Sequence, residues 1–230
     1  MNYIICLKWG KKYSAEYVNK LYAMTQRNCK VPHQFICFTE NRKDIDKEIK
    51  TINLPTLNLD GWWFKPWFFS KDLPIQGTLL YFDLDVIVFR NIDKLFTYKP
   101  KQFCIIRDFN RSIRPQFDRV NSSVFRLETG MFDPIWKQFE NDPKLHMQKN
   151  RGDQDWMYKN IRNFSYWPDE WIQSYKWEMR DRRDLAIHKG KRNFIVDSPP
   201  KVLDDCSVAV FHGEPNPLDA NDTWVRKNWG

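Results

Sequence analysis

The sequence lacks long apolar runs, and none approaches the roughly 18 to 20 residues that cross a bilayer. Its mean hydropathy is -0.68, and residues 1–10 contain neither a basic leader nor an extended apolar stretch. We therefore expect no membrane-spanning helix, no signal peptide and a cytoplasmic protein, whose contact with a membrane is at most peripheral.

Closely spaced cysteines, internal repeats and low-complexity tracts are also absent. The five cysteines are widely scattered and form none of the C-x-x-C pairs typical of zinc or redox sites. An odd number of cysteines in a chain without an export signal indicates reduced thiols, buried as small apolar side chains.

The composition is that of a basic globular domain. Of the 230 residues, 42% are hydrophobic and 29% charged, which is enough to bury one sizeable core. The 37 basic and 29 acidic residues give a net charge of +8, which favours an anionic partner. Basic clusters at 107–119 and 180–192 leave nucleic acid, an anionic membrane surface, a phosphorylated small molecule or a solvated face open. No nucleic-acid-binding motif is recognisable, so we do not expect a nucleic-acid partner.

Hydrophobic periodicity predicts strands alternating with helices. Tyr17, Leu21 and Met24 recur at helical spacing behind Ser14, a suitable N-cap, and predict a helix at 14–27. Apolar runs predict strands at 2–8, 33–39, 50–53, 78–82, 102–107, 122–127 and 207–211. Later helices are predicted at 134–140, with Asp133 as N-cap, and at 153–160. The pattern indicates an α/β fold with a mostly parallel sheet, followed beyond residue 141 by an irregular α+β half.

Two aspartates, Asp83 and Asp85, follow the apolar strand predicted at 78–82. Period-two alternation places both carboxylates on one side, at the end of a buried strand where α/β sheets bind ligands. Their oxygens suit Mg²⁺ or Mn²⁺ bridging to a diphosphate. The alternative is a structural loop in which one aspartate caps the next element, but two acids directly behind an apolar run favour the metal site.

His212 follows the last apolar strand, predicted at 207–211. If that strand shares a sheet with the strand at 78–82, the imidazole meets the two carboxylates, and a nitrogen ligand favours Mn²⁺ over Mg²⁺. A histidine in a turn is otherwise a hydrogen-bonded structural residue.

Two further segments have both a structural and a functional interpretation. Asp153 and Gln154 begin the predicted helix at 153–160, where they either cap it or project into a cleft and hold sugar hydroxyls. Lys65 interrupts the aromatic segment 61–69, most of which we expect in the core. Placed just ahead of a helix started by Pro66, Lys65 either reaches a diphosphate or extends its ammonium group from a buried helix to solvent.

In order along the chain, four motifs resemble the metal-dependent glycosyltransferases of the GT-A fold, especially the family-eight type of glycogenin and the bacterial lipopolysaccharide galactosyltransferases. The motifs are Asp83-Leu84-Asp85, Asn121-Ser122-Ser123-Val124, Asp153-Gln154-Asp155 and His212-Gly213-Glu214-Pro215-Asn216-Pro217. Four motifs in order are specific, whereas any one alone is weak. Ser123 stands where the family usually has glycine, and Asn216 and Pro217 stand where a late lysine normally contacts the diphosphate.

The resemblance implies one GT-A domain over residues 1–230, with a nucleotide-binding half at 1–100 and a sugar- and acceptor-binding half at 101–230. It implies a hexosyltransferase that uses a UDP-sugar in preference to a GDP-sugar, transfers to a glycan or lipid-linked acceptor and retains anomeric configuration. Mn²⁺, or alternatively Mg²⁺, would be held by Asp83, Asp85 and His212. The catalytic group would be Asp153, Gln154 and Asp155, with Gln154 supporting the departing ion pair. The donor would contact Leu7, Lys8, Trp9, Tyr13, Lys65, Leu84, Asn121 and Ser122. Four aromatic residues either stack on acceptor sugars or are buried in the core: Trp167, Trp171, Tyr175 and Trp177.

Two other functions compete with this interpretation. An apolar strand ending in Asp83 and Asp85 also describes a phosphatase of the haloacid dehalogenase type, with Asp204-Asp205 as its second metal pair. That motif belongs on a first strand, however, and Ile87 replaces its usual threonine or valine. A non-catalytic glycan- or anion-binding domain would use the 11 Trp and the basic charge, but it leaves the acid pair unexplained.

Overall fold

The computed structural model describes residues 1–180, 185–188, 191–194 and 199–230. The basic segment at 180–192 is described only in part. The side chain of Arg180 and the strand backbone of residues 185–188 and 191–192 are described, and the rest of the segment lies outside the described residues. None of the helices in the described ranges combines the length and apolar character needed to cross a membrane.

The strands and helices alternate along the first half of the chain. The strands are β1 (Asn2–Lys8), β2 (Gln34–Thr39), β3 (Lys50–Ile52), β4 (Thr78–Phe82), β5 (Val86–Val88), β6 (Phe103–Arg107), β7 (Val120–Glu128), β8 (Phe164–Tyr166), β9 (Ile172–Ser174), β10 (Leu185–His188), β11 (Lys191–Phe194) and β12 (Val208–Val210). The α-helices are α1 (Ala15–Asn28), α2 (Asp93–Thr97), α3 (Asp133–Asn141), α4 (Pro143–Lys149), α5 (Asp153–Asn160) and α6 (Thr223–Asn228). Gly61–Phe69, Phe109–Ser112 and Asp169–Trp171 form 3-10 helices, and Tyr175–Met179 forms a π-helical turn.

Seven of the described strands form the central sheet, in the order β3-β2-β1-β4-β7-β6-β8. The first four are parallel, β7 runs antiparallel to both β4 and β6, and β8 is parallel to β6. The mixed α/β fold with a mostly parallel sheet, expected from the sequence, is confirmed. Because parallel neighbours end at the same sheet edge, the loops that follow β1 and β4 lie side by side.

Both faces of the central sheet are buried. On β1, Ile4 and Cys6 join the apolar cluster that contains the inner face of α1, while Ile5 packs on the opposite side with the aromatic 3-10 helix Gly61–Phe69. This alternation explains why the strands are apolar at successive positions. The five cysteines are free thiols, and all but Cys29 are buried, as expected for small apolar side chains.

A second, smaller sheet contains β5, the strand that directly follows the acid pair. β12 pairs antiparallel with β5 and parallel with β9. The condition that β12 shares a sheet with β4 is therefore not met. His212 reaches the same cavity as the acids through β5 instead, because the amide of Phe211 donates to the carbonyl of Asp85 at 2.9 Å.

Two local expectations are also corrected. Asp133 is the first residue of α3 rather than its N-cap, and its Oδ1 accepts a hydrogen bond from the amide of Lys71 at 3.0 Å. Pro66 does not start a helix but lies within the 3-10 helix Gly61–Phe69, so Lys65 is an interior residue of that element.

Candidate active site

A cavity of about 750 Å³ opens where the loops after β1 and β4 meet β7 and the start of α5. Its volume is typical of small-molecule sites. Apart from Lys8, every residue that the sequence predicts as a metal, donor or catalytic residue lines this cavity. Segments as distant in sequence as Leu7 and His212 therefore converge on one site.

The acid pair lies at the end of β4 with both side chains in the cavity lining. Asp83 accepts hydrogen bonds at Oδ1 from the Tyr81 hydroxyl, at 2.7 Å, while Asp85 accepts at Oδ2 from the Tyr13 hydroxyl, at 2.9 Å. Burial, and then the charge of Asp83, raise the pKa of Asp85 to about 6. The site therefore holds negative charge that a cation would stabilise.

The donor set fits a divalent cation. Among the described residues, no three His, Cys, Asp or Glu side chains lie close enough together to form a complete metal cluster. Ions of the Mg²⁺ type nevertheless bind through one or two carboxylates together with water and substrate phosphates. Asp83 and Asp85 provide those carboxylates, so the residues present fit a metal that is shared with a phosphorylated ligand.

His212 lies half-buried in the turn after β12. Its ring stacks on Phe109 with centroids 5.4 Å apart, and its Nε2 lies 2.6 Å from the Ser174 hydroxyl. Lys176 fixes the same turn by donating to the carbonyls of His212 and Glu214. The imidazole is therefore held at the cavity wall, where its role as a metal ligand remains a prediction.

Lys65 connects the acid pair to α5. Only 3% of this residue is exposed, and its ammonium nitrogen lies 2.8 Å from Asp83 Oδ1 and 3.3 Å from Asp153 Oδ2. It also donates to the carbonyl and hydroxyl of Ser122 on β7. Burial alone would lower the pKa of Lys65, but the charges of Asp153 and Asp83 outweigh this effect and raise it. The alternative of an ammonium group extended to solvent is therefore wrong.

Asp153 Oδ2 is buried, and Lys65 holds it in an ion pair at 3.3 Å. Burial raises the pKa of this carboxyl, and the charge of Lys65 partly offsets the rise. Since an ionised carboxylate oxygen accepts more than one hydrogen bond, Asp153 Oδ2 is an acceptor suited to a hydroxyl donor from a ligand.

The β1 end of the cavity is built from Leu7, Trp9 and Tyr13. Trp9 is 38% exposed, and the Tyr13 hydroxyl reaches Asp85. A flat indole beside a polar cavity is suited to stacking on a planar ring.

Lys8 is the exception among the predicted donor residues. It lines a separate cavity between the start of α1 and the loop after β2, together with Lys11 and Lys43. Strand alternation accounts for the difference, because Leu7 and Lys8 point to opposite faces of β1. Lys8 is thus the one predicted donor residue that does not line the main cavity.

Several cavity residues were not identified from the sequence. The lining residues that were not among the predicted site residues are Lys12, Gly61, Trp62, Tyr81, Asp108, Asn110, Phe117, Arg119, Ser123, Arg151 and Gly152. Four of them, Asp108, Asn110, Phe117 and Arg119, lie in the basic and aromatic cluster at 107–119. That cluster was the feature of the sequence from which they could have been identified as site residues. Lys12, Arg119 and Arg151 make no ion pair within the part of the chain that is described, so they give the cavity a cationic rim.

The aromatic residues considered for acceptor stacking do not line the cavity. Trp167 and Tyr175 are buried, Trp171 packs edge-on against Tyr98, and Trp177 packs edge-on against His212. Their role in the core explains the aromatic pattern of this segment.

Asp204 and Asp205, the second acid pair of the phosphatase interpretation, are exposed and lie outside the cavity lining. The carbonyl of Asp204 accepts a hydrogen bond from Arg90, and that of Asp205 accepts one from Lys94. The two acid pairs therefore do not form one site.

No protein-family model and no curated protein matches the sequence. Solved structures do match. An active-site mutant of LgtC is 11% identical over 99% of this chain and 93% of that one, with a TM-score of 0.62. The galactosyltransferase LgtC in complex with donor and acceptor sugar analogs is 12% identical over 94% and 89% of the two chains, with a TM-score of 0.57. The glycosyltransferase GlyE of Streptococcus pneumoniae is 14% identical over 94% of this chain and 56% of that one, with a TM-score of 0.62. The chain therefore has the fold of these glycosyltransferases, which confirms the GT-A fold expected from its motifs.

Proposed function

Starting from this fold, we propose that the protein is a glycosyltransferase that moves a hexose from a nucleotide diphosphate sugar, a UDP-sugar by preference, to an acceptor hydroxyl. The observation that carries the proposal is the bridge formed by Lys65 between Asp83 and Asp153. One buried ammonium group joins the two acidic motifs in a single cavity. The same function is supported by the solved neighbours, since LgtC binds donor and acceptor sugar analogs.

Asp83 and Asp85 are the residues that would hold Mn²⁺, and His212, the third predicted ligand, lines the same cavity. When bound, the ion neutralises charge on the departing diphosphate, which is a poor leaving group without a cation. Lys65 holds Asp83 and Asp153 in fixed positions and contributes a positive charge beside the acid pair. The cationic rim formed by Lys12, Arg119 and Arg151 favours entry of an anionic donor.

In this proposal the donor's two ends lie on opposite sides of the acid pair. Trp9 and Tyr13 offer flat rings for the base and ribose, whereas Asp153 offers a buried acceptor for a sugar hydroxyl. Gln154 lines the cavity beside Asp153, and we assign to it the support of the oxocarbenium-like sugar as the diphosphate leaves. The expected outcome is retention of anomeric configuration.

Nucleotide release from a panel of UDP- and GDP-sugars in Mn²⁺, with simple glycosides as acceptors, tests the proposal. We expect turnover of one UDP-sugar, lost by at least about 100-fold in Asp83→Asn. The exposed Asp204→Asn is the matched control and should retain activity, and NMR of the product reports its anomeric configuration. Cleavage of phosphate monoesters without any turnover of nucleotide sugars would support the phosphatase instead.

A further inference from the structure

A second cavity, of about 780 Å³, lies between the start of α1 and the loop after β2. Its wall contains Lys8 at the end of β1, residues 14–16 at the start of α1, and Lys43 in the loop after β2. Among the described residues that line it, only Tyr13 also lines the main cavity. The proposed glycosyl transfer therefore leaves this second cavity without a role.

Lys8 is a deeply buried lysine that faces the second cavity. Only 6% of the residue is exposed, and its ammonium group makes no hydrogen bond or ion pair with any described residue. Ile4 and Cys6 on the same strand pack in the cluster that contains the inner face of α1, and strand alternation directs Lys8 to that face. Lysines are rarely buried without an anionic partner. The side chain therefore points to an anionic ligand in the second cavity.

The first turn of α1 adds hydrogen-bond donors to the same wall. In the described chain, the amides of Ala15 and Glu16, the first two of the 14 residues of this helix, make no hydrogen bond. Ser14, the N-cap residue, makes no capping hydrogen bond with its side chain. These free amides lie at the positive end of the helix dipole, which is where helices bind phosphate groups.

The charges on the wall favour a ligand with more than one negative charge. Four lysines and two acidic residues line the cavity, so basic groups are in excess. Of the two acids, Glu16 is paired with Lys20 at 3.5 Å, and Asp44 is exposed. Three lining lysines make no ion pair within the described ranges: Lys8, Lys11 and Lys43.

We propose that the second cavity binds a phosphate monoester, with Lys8 as the buried cation and the first turn of α1 as the hydrogen-bond donor. The tetrahedral dianion accepts from ammonium groups and amides in several directions, whereas a carboxylate offers one charge and two oxygens in a plane. A small phosphorylated molecule or a lipid headgroup can supply this group. The site is separate from the acid pair and does not depend on the proposed glycosyl transfer.

The test removes one cation from each cavity in turn, with Lys8→Met in the second cavity and Arg119→Met in the main cavity. Calorimetry without metal ions follows binding of inorganic phosphate, glycerol 3-phosphate and acetate. We expect both phosphates to bind wild type at least about tenfold more tightly than acetate. Lys8→Met should weaken phosphate binding at least about tenfold, whereas Arg119→Met should change it less than about twofold.

Two further measurements do not depend on Lys8→Met. The amide resonances of Ala15 and Glu16 in wild type should shift when phosphate is added. Asp44→Asn removes a negative charge from the wall and should strengthen phosphate binding about two- to threefold. Asparagine tolerates the left-handed backbone of this position, with φ 61°, and a gain in affinity does not arise from misfolding.

Vesicles distinguish the two sources of the phosphate group. Cosedimentation with vesicles of phosphatidylcholine and phosphatidate, mixed four to one, that is lost in Lys8→Met and absent with pure phosphatidylcholine would identify a lipid headgroup. Binding of glycerol 3-phosphate without cosedimentation would identify a small molecule. Three results overturn the inference: no saturable phosphate binding to folded wild type, acetate binding as tight as phosphate binding, or a loss of phosphate binding in Arg119→Met but not in Lys8→Met.

Discussion

The ammonium nitrogen of Lys65 lies 2.8 Å from Oδ1 of Asp83, inside a cavity wall that leaves only 3% of the lysine exposed. The same nitrogen lies 3.3 Å from Asp153 on α5. Lys65, Asp83 and Asp153 come from separate elements of the fold, so the ion pairs fix the relative positions of a 3-10 helix, a strand end and a helix start. The acidic motifs are thereby held together before any ligand binds.

Removing this cation should destabilise the protein. Lys65→Met leaves the buried carboxylate of Asp153 and the partly exposed carboxylate of Asp83 without their partner, and breaking a buried ion pair costs about 3 to 5 kcal/mol. Urea unfolding at pH 7 should show a loss of this size. Lys71→Met is the control, because the Lys71 side chain is 63% exposed and lies 4.0 Å from Asp133, so its loss should change stability by less than about 1 kcal/mol. Equal stability of the two variants would contradict the structural role of Lys65.

Neutralising Asp85 should have the opposite effect on stability. Burial and the Asp83 charge raise the pKa of Asp85 from 3.8 to about 6, so its ionised form is less favourable in the folded than in the unfolded protein. Asp85→Asn should therefore raise the free energy of unfolding at pH 7 by up to about 3 kcal/mol, measured in EDTA.

The raised pKa of Asp85 also determines the pH range over which Asp85→Asn is more stable than wild type. The cost of the ionised carboxylate is present in full above the folded pKa and disappears as pH falls through about 6 towards 3.8, so the advantage of Asp85→Asn should vanish over the same range. Asp204→Asn, at an exposed site, should show no gain at any pH. A destabilised Asp85→Asn protein at pH 7 would show that the charge stabilises the fold.

Gly152 should tolerate alanine but not a long side chain. Its backbone is extended, with φ 179°, so a side chain brings no backbone strain, and an added Cβ would lie 3.4 Å from Nε1 of Trp62. Gly152→Ala should keep wild-type activity within about twofold, whereas Gly152→Leu should displace the indole and lower activity at least about tenfold. Steady-state kinetics on both variants measure this, and wild-type activity in Gly152→Leu would contradict the arrangement.

Lys8 should be dispensable for nucleotide binding. Because it opens to a different cavity from Leu7 and Trp9, Lys8→Met should bind UDP within about twofold of wild type. Trp9→Ala should weaken UDP binding by about tenfold, as loss of one stacking partner does. Calorimetric titration distinguishes the two, and a comparable loss in both variants would show that Lys8 does reach the nucleotide.

The sequence predicts much of the fold because local patterns determine it. β4 and α5 have the predicted bounds of 78–82 and 153–160, since an uninterrupted apolar run and acidic residues in the first turn of a helix are local signals. The placement of Asp83 in the cavity was also predictable, because strand ends in an α/β sheet meet at one edge, whereas that of Asp153, at a helix start, was implied by the family resemblance.

The features that were missed depend on long-range packing. Apolar periodicity predicts that a segment forms a strand, but it does not predict which strand it pairs with. The pairing of β12 with β5 rather than with the central sheet was therefore missed. Asp133 satisfies the amide of Lys71, a tertiary contact that replaces the predicted cap. Trp62 and Trp63 are adjacent and chemically identical, and only the packed structure shows which of them faces the cavity.

The central claim is that Asp83 and Asp85 hold a divalent ion that is shared with the diphosphate of a nucleotide. Calorimetric titration of UDP into the protein, with and without Mn²⁺, on wild type, Asp85→Asn and Asp204→Asn, tests it most directly. The account predicts that Mn²⁺ strengthens UDP binding at least about tenfold in wild type and in Asp204→Asn, and that this gain is lost in Asp85→Asn. UDP binding of equal strength with and without Mn²⁺, or an equal gain in all three proteins, would contradict it.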